Sequence, residues 1–120
     1  MFNRVTIDLI TRHDSSGDYS LYLKEQAGWG GDPERLRQLQ DRVYNALDVV
    51  LDGQLASDYP DSKGSMVRVV VVFLGQDAPP EAIRVLERLH EHANEHPDFA
   101  PSAISRGLLS GLAVTYKITG

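Results

Sequence analysis

The densest cluster of potentially reactive side chains is His90-Glu91-His92-Ala93-Asn94-Glu95-His96, which holds three of the four histidines. Within it, His92 to His96 reads H-x-x-E-H, the inverted zinc-protease arrangement. Imidazoles four residues apart on a helix can share a metal. A working site also needs a third ligand and a carboxylate base held in a cleft. No glutamate follows Glu95, and Asp98 is the only later acid. His96 precedes Pro97, where a helix must end. Histidines at a helix C-terminus have a plain role, because positive charge is favoured there. The expectation is a solvated helix end, with no metal and no cofactor.

The other candidates fare no better. His13 adjoins Asp14, an acid–base pair in principle, but no nucleophile can be placed near it. Ser110 lies in Gly107-Leu108-Leu109-Ser110-Gly111, which is not a G-x-S-x-G elbow. Lys63-Gly64-Ser65 lacks the spacing of a phosphate-binding loop. Asp41, Asp48 and Asp52 belong to a solvated helix surface. The residues give no catalytic constellation, so the expectation is a protein that is not an enzyme.

The elements that would position these groups are clearer. Val5, Ile7 and Leu9 alternate with Thr6 and Asp8, and Tyr19, Leu21 and Leu23 alternate with Ser20, Tyr22 and Lys24. Period two on either side of Asp14-Ser15-Ser16-Gly17-Asp18 predicts a β-hairpin. Gln26 to Gly31 surrounds the only tryptophan, Trp29, with three glycines. That ring either lids the core edge or anchors a ligand on a pliant loop. Asp32 and Pro33 open a helix as N-cap and first residue. Leu36, Leu39, Val43, Ala46, Leu47 and Val50 share one face, and Gly53 stops it. Leu55 and Tyr59 are expected to fold back on the helix end. Met66 to Leu74 is apolar on both faces apart from Arg68, the mark of a central strand. Pro79-Pro80-Glu81 opens a second helix that ends at Pro97. Asp98 to Ser105 reads as a loop, and Leu112, Val114, Tyr116 and Ile118 alternate as a last strand.

This pattern predicts one α+β domain over residues 1–120. It would be a two-layer sandwich in the order β-β-α-β-α-β, with a mostly antiparallel sheet of about four strands and both helices on one face. The core face would take Val5, Ile7, Leu9, Tyr19, Leu21, Leu23, Leu112, Val114, Tyr116 and Ile118. The opposite face would show Thr6, Asp8, Ser20, Tyr22, Lys24, Thr115 and Lys117. Arg68, Val70 and Val72 would run through its middle as an uncovered apolar strip. A strip of that kind with a polar rim marks a partner surface. The candidate docking residues are therefore Asp8, Tyr22, Lys24, Arg68, Val70 and Val72, with Trp29 on its loop.

The totals bound the partners. The chain has 120 residues, no cysteine and a formal charge of -5. Disulfides and thiolate chemistry are excluded. An acidic balance argues against nucleic acid and against a polybasic membrane anchor. Asp8 interrupts the apolar start, so no signal peptide is read there, and a cytoplasmic location is the default.

Trp29, Leu39-Gln40, Asn45, Asp52-Gly53-Gln54-Leu55, Tyr59-Pro60 and the valine strand, in that order, resemble a family of small bacterial domains of unknown function. The likeness runs from about Val5 to Ala93. The chain departs from the family in having Asp52-Gly53 in place of Ser-Gly, and Ala46-Leu47 where an aromatic is usual. The resemblance supports the fold and carries over no catalytic residue. By analogy it implies a protein-binding module, such as an immunity protein that blocks a cognate bacterial toxin. The other readings are a small ligand-binding domain or enzyme with a pocket near Trp29, and a domain that pairs with itself.

Overall fold

A computed structural model describes residues 7–26, 33–75 and 78–119. Val5, Thr6, Trp29 and Asp32 lie outside the described residues. The chain forms a hairpin of β1 (Leu9–Arg12) and β2 (Tyr19–Glu25), then α1 (Pro33–Leu51) and a short α2 (Gln54–Asp58). Next come β3 (Met66–Leu74), α3 (Pro80–Glu95), a short α4 (Ala100–Ser105) and β4 (Gly111–Thr119).

The four strands form one sheet in the order β1-β2-β3-β4. Only β1 and β2 are antiparallel; β2 with β3 and β3 with β4 are parallel. The mostly antiparallel sheet expected from sequence is thus corrected to a mixed one. The cause is chain length between strands. A helix long enough to recross the sheet returns the chain to the end it left, so the next strand runs the same way. Both crossovers step in one direction across the sheet, and the uniform hand of such units puts α1 and α3 on the same face.

Periodicity explains what each helix buries. Leu39, Val43, Ala46, Leu47 and Val50 of α1 are buried, as are Ala82, Val85, Leu86, Leu89 and Ala93 of α3. They pack on Leu21, Leu23, Val67, Val69, Val71 and Phe73 of the sheet. Gly53 takes φ +85 just past the end of α1, the left-handed stop that a side chain resists. The segment after it is not merely a connection. α2 buries Leu55 and Ala56, and the Tyr59 ring, though exposed, lies 6.0 Å from that of Tyr19. The segment read as a loop at 98–105 contains α4, and Arg106 beyond it donates to the Leu51 carbonyl, supplying the positive charge that the end of α1 lacks.

Two face assignments change. Leu9 pairs with Tyr22, and Ile10 with Leu21. Leu9 therefore lies on the open face and Ile10 packs on the core, opposite to the expectation for Leu9. A one-residue difference in register exchanges every side chain of a strand between faces. Ahead of β1 the alternation is interrupted: the Asp8 amide donates to the Tyr22 carbonyl, Ile7 packs on the core as expected, and the Asp8 carboxylate accepts from Arg42 of α1 at 3.1 Å. At the other edge, Tyr116 and Ile118 lie on the helix face but are 37% and 47% exposed. Helix cover reaches Phe73, the fully buried partner of Ile118, and stops there.

Candidate functional site

The sequence-selected residues separate into two groups. Tyr22, Lys24, Arg68, Val70 and Val72 share the face away from the helices, as strand pairing of Tyr22 with Val70 and Lys24 with Val72 requires. Asp8 does not. It joins an ion-pair knot between the hairpin and α1. Arg42 donates to Glu25, to Asp8 and, at 2.8 Å, to the Lys24 carbonyl. The Lys24 amide donates to Asp8 at 2.7 Å, and Arg35 reaches Glu25 at 3.5 Å and the Gln26 carbonyl at 3.0 Å. Glu25 is buried. A buried carboxylate needs such partners, so this knot fastens α1 to the hairpin.

The valine strip is on the open face but is not exposed. Val70 and Val72 are only 7% and 5% accessible, although neither belongs to the cluster packed under the helices. Tyr22 sits beside Val70, and Lys117 sits beside Val72 on the other flank. The Lys117 Nζ lies 5.1 Å from the centroid of the Tyr22 ring. This contact must cross β3 diagonally, so the lysine stem and the ring roof the valines. A cation over an aromatic face is attracted by the ring quadrupole, and the lysine stem adds apolar cover.

Arg68 is held at the lower end of the same face. It donates to the Asp18 carboxylate at 2.7 Å. That hydrogen bond holds the Asp18 carboxyl below its ordinary value. Among the described strand residues, the open face carries Lys24, Arg68 and Lys117 and no carboxylate. Asp41, Asp48, Glu87, Glu91 and Glu95 ride on the helices. α1 balances its acids with Arg35, Arg37 and Arg42, and α3 sets four glutamates against Arg84 and Arg88, so the helices are mildly negative, the strands are positive, and the chain's net negative charge lies in its loops, including Asp18 on Arg68. A net charge of -5 is compatible with a basic partner; the described strand residues of the sheet face carry the opposite sign.

The edge strand β4 completes the site. Gly75 N–H donates to the Thr119 carbonyl, so Thr119 addresses β3. Val114 N–H instead donates outward to His90 Nδ1 at 3.0 Å. That bond requires the tautomer with its proton on Nε2. In a parallel ladder alternate residues address alternate neighbours. Tyr116 and Ile118 therefore point their backbone groups outward, beyond the reach of His90. A groove of about 480 Å³ runs along this edge, lined by Arg68, Ala113 and Thr115 on one side and Glu87, His90 and Glu91 on the other.

Sequence reasoning placed His90 at a solvated helix end and left both its bond to the Val114 amide and the Lys117 contact out of the site. The alternation did place Lys117 on the open face; its reach across to Tyr22 depends on strand order. The remaining histidines are structural. His92 and His96 rings pack at 4.9 and 5.4 Å from Phe99, whose ring also meets Tyr44 edge-on. Among the described residues no group of three metal-ligating side chains occurs. His13 Nδ1 contacts Ser15 Oγ at 2.9 Å within its own turn. No described helix is long and apolar enough to cross a membrane.

The chain matches no curated protein and no solved structure. A family model does match it, over residues 1–97, which takes in both hairpin strands, α1, α2, β3 and α3. The chain belongs to that family, a family of unknown function named DUF6572.

Proposed function

We propose that this protein is a non-enzymatic protein-binding module whose docking surface is the sheet face opposite the helices. The observation that supports this reading is the separation of charge. Lys24, Arg68 and Lys117 lie together on a face whose described strand residues include no carboxylate, Arg68 being paired with Asp18 of the preceding turn, in a chain of net charge -5. Such a patch steers an acidic partner and repels a basic one. Among the described residues a single aromatic, Tyr22, stands on that face, and one of its ring faces is already taken by Lys117. Single-stranded nucleic acid is read by stacking bases on free rings, so a protein partner is favoured. The specific form of the reading is an immunity protein that blocks a cognate toxin, with an acidic toxin surface seated on Lys24 and Lys117.

The test is co-expression of the full chain with the product of each neighbouring gene, followed by affinity measurement. A complex with one acidic product is expected. The double variant Lys24→Glu, Lys117→Glu should weaken it by at least about tenfold. A complex indifferent to that reversal, or tighter binding to an oligonucleotide, contradicts the reading.

A further inference from the structure

We infer that His90 is an acid-sensitive latch, which holds β4 against α3 while its imidazole is neutral and releases it when the ring takes a proton. This device is independent of the binding reading of the sheet face. It follows from the direction of one hydrogen bond. The Val114 N–H donates to His90 Nδ1 at 3.0 Å. A backbone amide can only donate, so the bond needs an unprotonated nitrogen at Nδ1. An imidazolium carries hydrogen on both ring nitrogens and has no acceptor left. Protonation and this bond therefore exclude each other. Imidazole is the side chain that ordinarily changes charge between about pH 5 and 8.

The surroundings give the protonated ring a second partner. Glu87 and Glu91 of α3 line the same groove as His90. Glu87 precedes it by three residues, a spacing at which helix side chains meet. Among the described residues neither carboxylate forms an ion pair. β3 contributes Arg68, whose charge opposes an imidazolium, but its guanidinium is bonded to Asp18 at 2.7 Å. β4 presents Ala113, Val114 and Thr115 to the groove, and its Lys117 is turned across the sheet onto Tyr22. α4 has no titratable side chain, and α1 contributes Leu36 to a second groove along α3. His92 and His96 pack on Phe99. Neutral His90 thus has the Val114 amide, and charged His90 has the carboxylates beside it, which is the two-state element a switch requires. Val114 is only 6% exposed. Its freed N–H reaches water only if β4 draws back from α3, and an unpaired buried donor is costly enough to drive that movement. The ladder to β3 uses other backbone groups of β4 and stays closed.

The test is a pH series on the full-length protein by NMR. The His90 ring is followed through its Cε1 proton. Backbone amides are followed by hydrogen exchange, corrected for the pH dependence of free-amide exchange. From about pH 7.5 to about pH 5, Val114 protection should fall at least about tenfold, in step with the His90 ring, while Ala113 and Thr115 keep theirs. His90→Gln has no imidazole at this position, so its Val114 protection, high or low, should not change over that range although the other three histidines remain. Glu87→Gln with Glu91→Gln removes the second partner, so more acid should be needed for the same loss. A His90 ring that is protonated while Val114 stays protected overturns the inference, and so does a ring that stays neutral throughout. Opening at the same pH in the double glutamine variant removes the two-partner switch. Loss of Val114 protection together with Ala113, Thr115 and the β3 amides also overturns it, because that is unfolding and not a local release.

Discussion

β3 has valines on both faces, and the two sets live in different environments. Val69 and Val71 are fully buried under α1 and α3, with Phe73 continuing the row. Val70 and Val72 are nearly as inaccessible, yet no described helix covers them; a tyrosine and a lysine from the flanking strands do. The first cover is made of close-packed apolar atoms from several elements. The second is a pair of amphipathic side chains that can move aside. Equal burial in a static structure therefore has two meanings: one face is core, and the other is a surface closed by its own rim.

Substitutions should separate the two faces. The largest effect is expected at the helix-covered side, where Phe73→Ala should cost about 3 to 5 kcal/mol in denaturant unfolding. Next comes Arg42→Ala. It leaves Glu25 buried without its main partner and unfastens α1 from the hairpin, for a loss of about 2 to 4 kcal/mol. The same chemical deletion on opposite faces gives the sharpest contrast: Val71→Ala should cost about 2 to 3 kcal/mol and Val72→Ala about 1 kcal/mol. Equal losses would mean that the open face is packed as a core and would remove the distinction.

The smallest effect is electrostatic. The Asp18 carboxyl is lowered in the fold by its bond from Arg68, so its stabilisation is present above the ordinary carboxylate pKa and is lost as pH falls through the lowered value. Unfolding followed against pH should show Asp18→Asn slightly less stable at neutral pH, with a flatter acid limb that converges on the parent protein as pH falls below the lowered value. An unchanged acid limb would show that the pair does not form in solution.

Much of this molecule was legible in its residues. α1 announces itself by Leu39, Val43, Ala46, Leu47 and Val50 and by the Gly53 stop, because local geometry sets those signals. β3 was legible as an interior strand from its apolar faces. The strand directions were misread, though the lengths of the two helical crossovers imply them. β1 was assigned the wrong face for Leu9 because alternation gives a period and not a register, and its partner Tyr22 decides the register. The cover over Val70 and Val72 depends on Lys117, a distant residue that strand order brings alongside. The exposed half of β4 was invisible for the same reason: an edge is a property of the sheet, and no local pattern marks it. His90 was read only as part of a solvated helix end because its partner, the Val114 amide, is distant in sequence.

The edge is also where the account is most exposed to test. Amide hydrogen exchange on the protein alone reads each β4 group directly. An alternating pattern is expected, with Ala113, Thr115 and Lys117 protected through β3, Val114 protected through His90, and Tyr116 and Ile118 exchanging fast. In His90→Ala, Val114 should join the fast group while Ala113 and Thr115 stay slow. Uniform protection along β4, with Tyr116 and Ile118 as slow as their neighbours, would show that the edge is already occupied and would contradict the account.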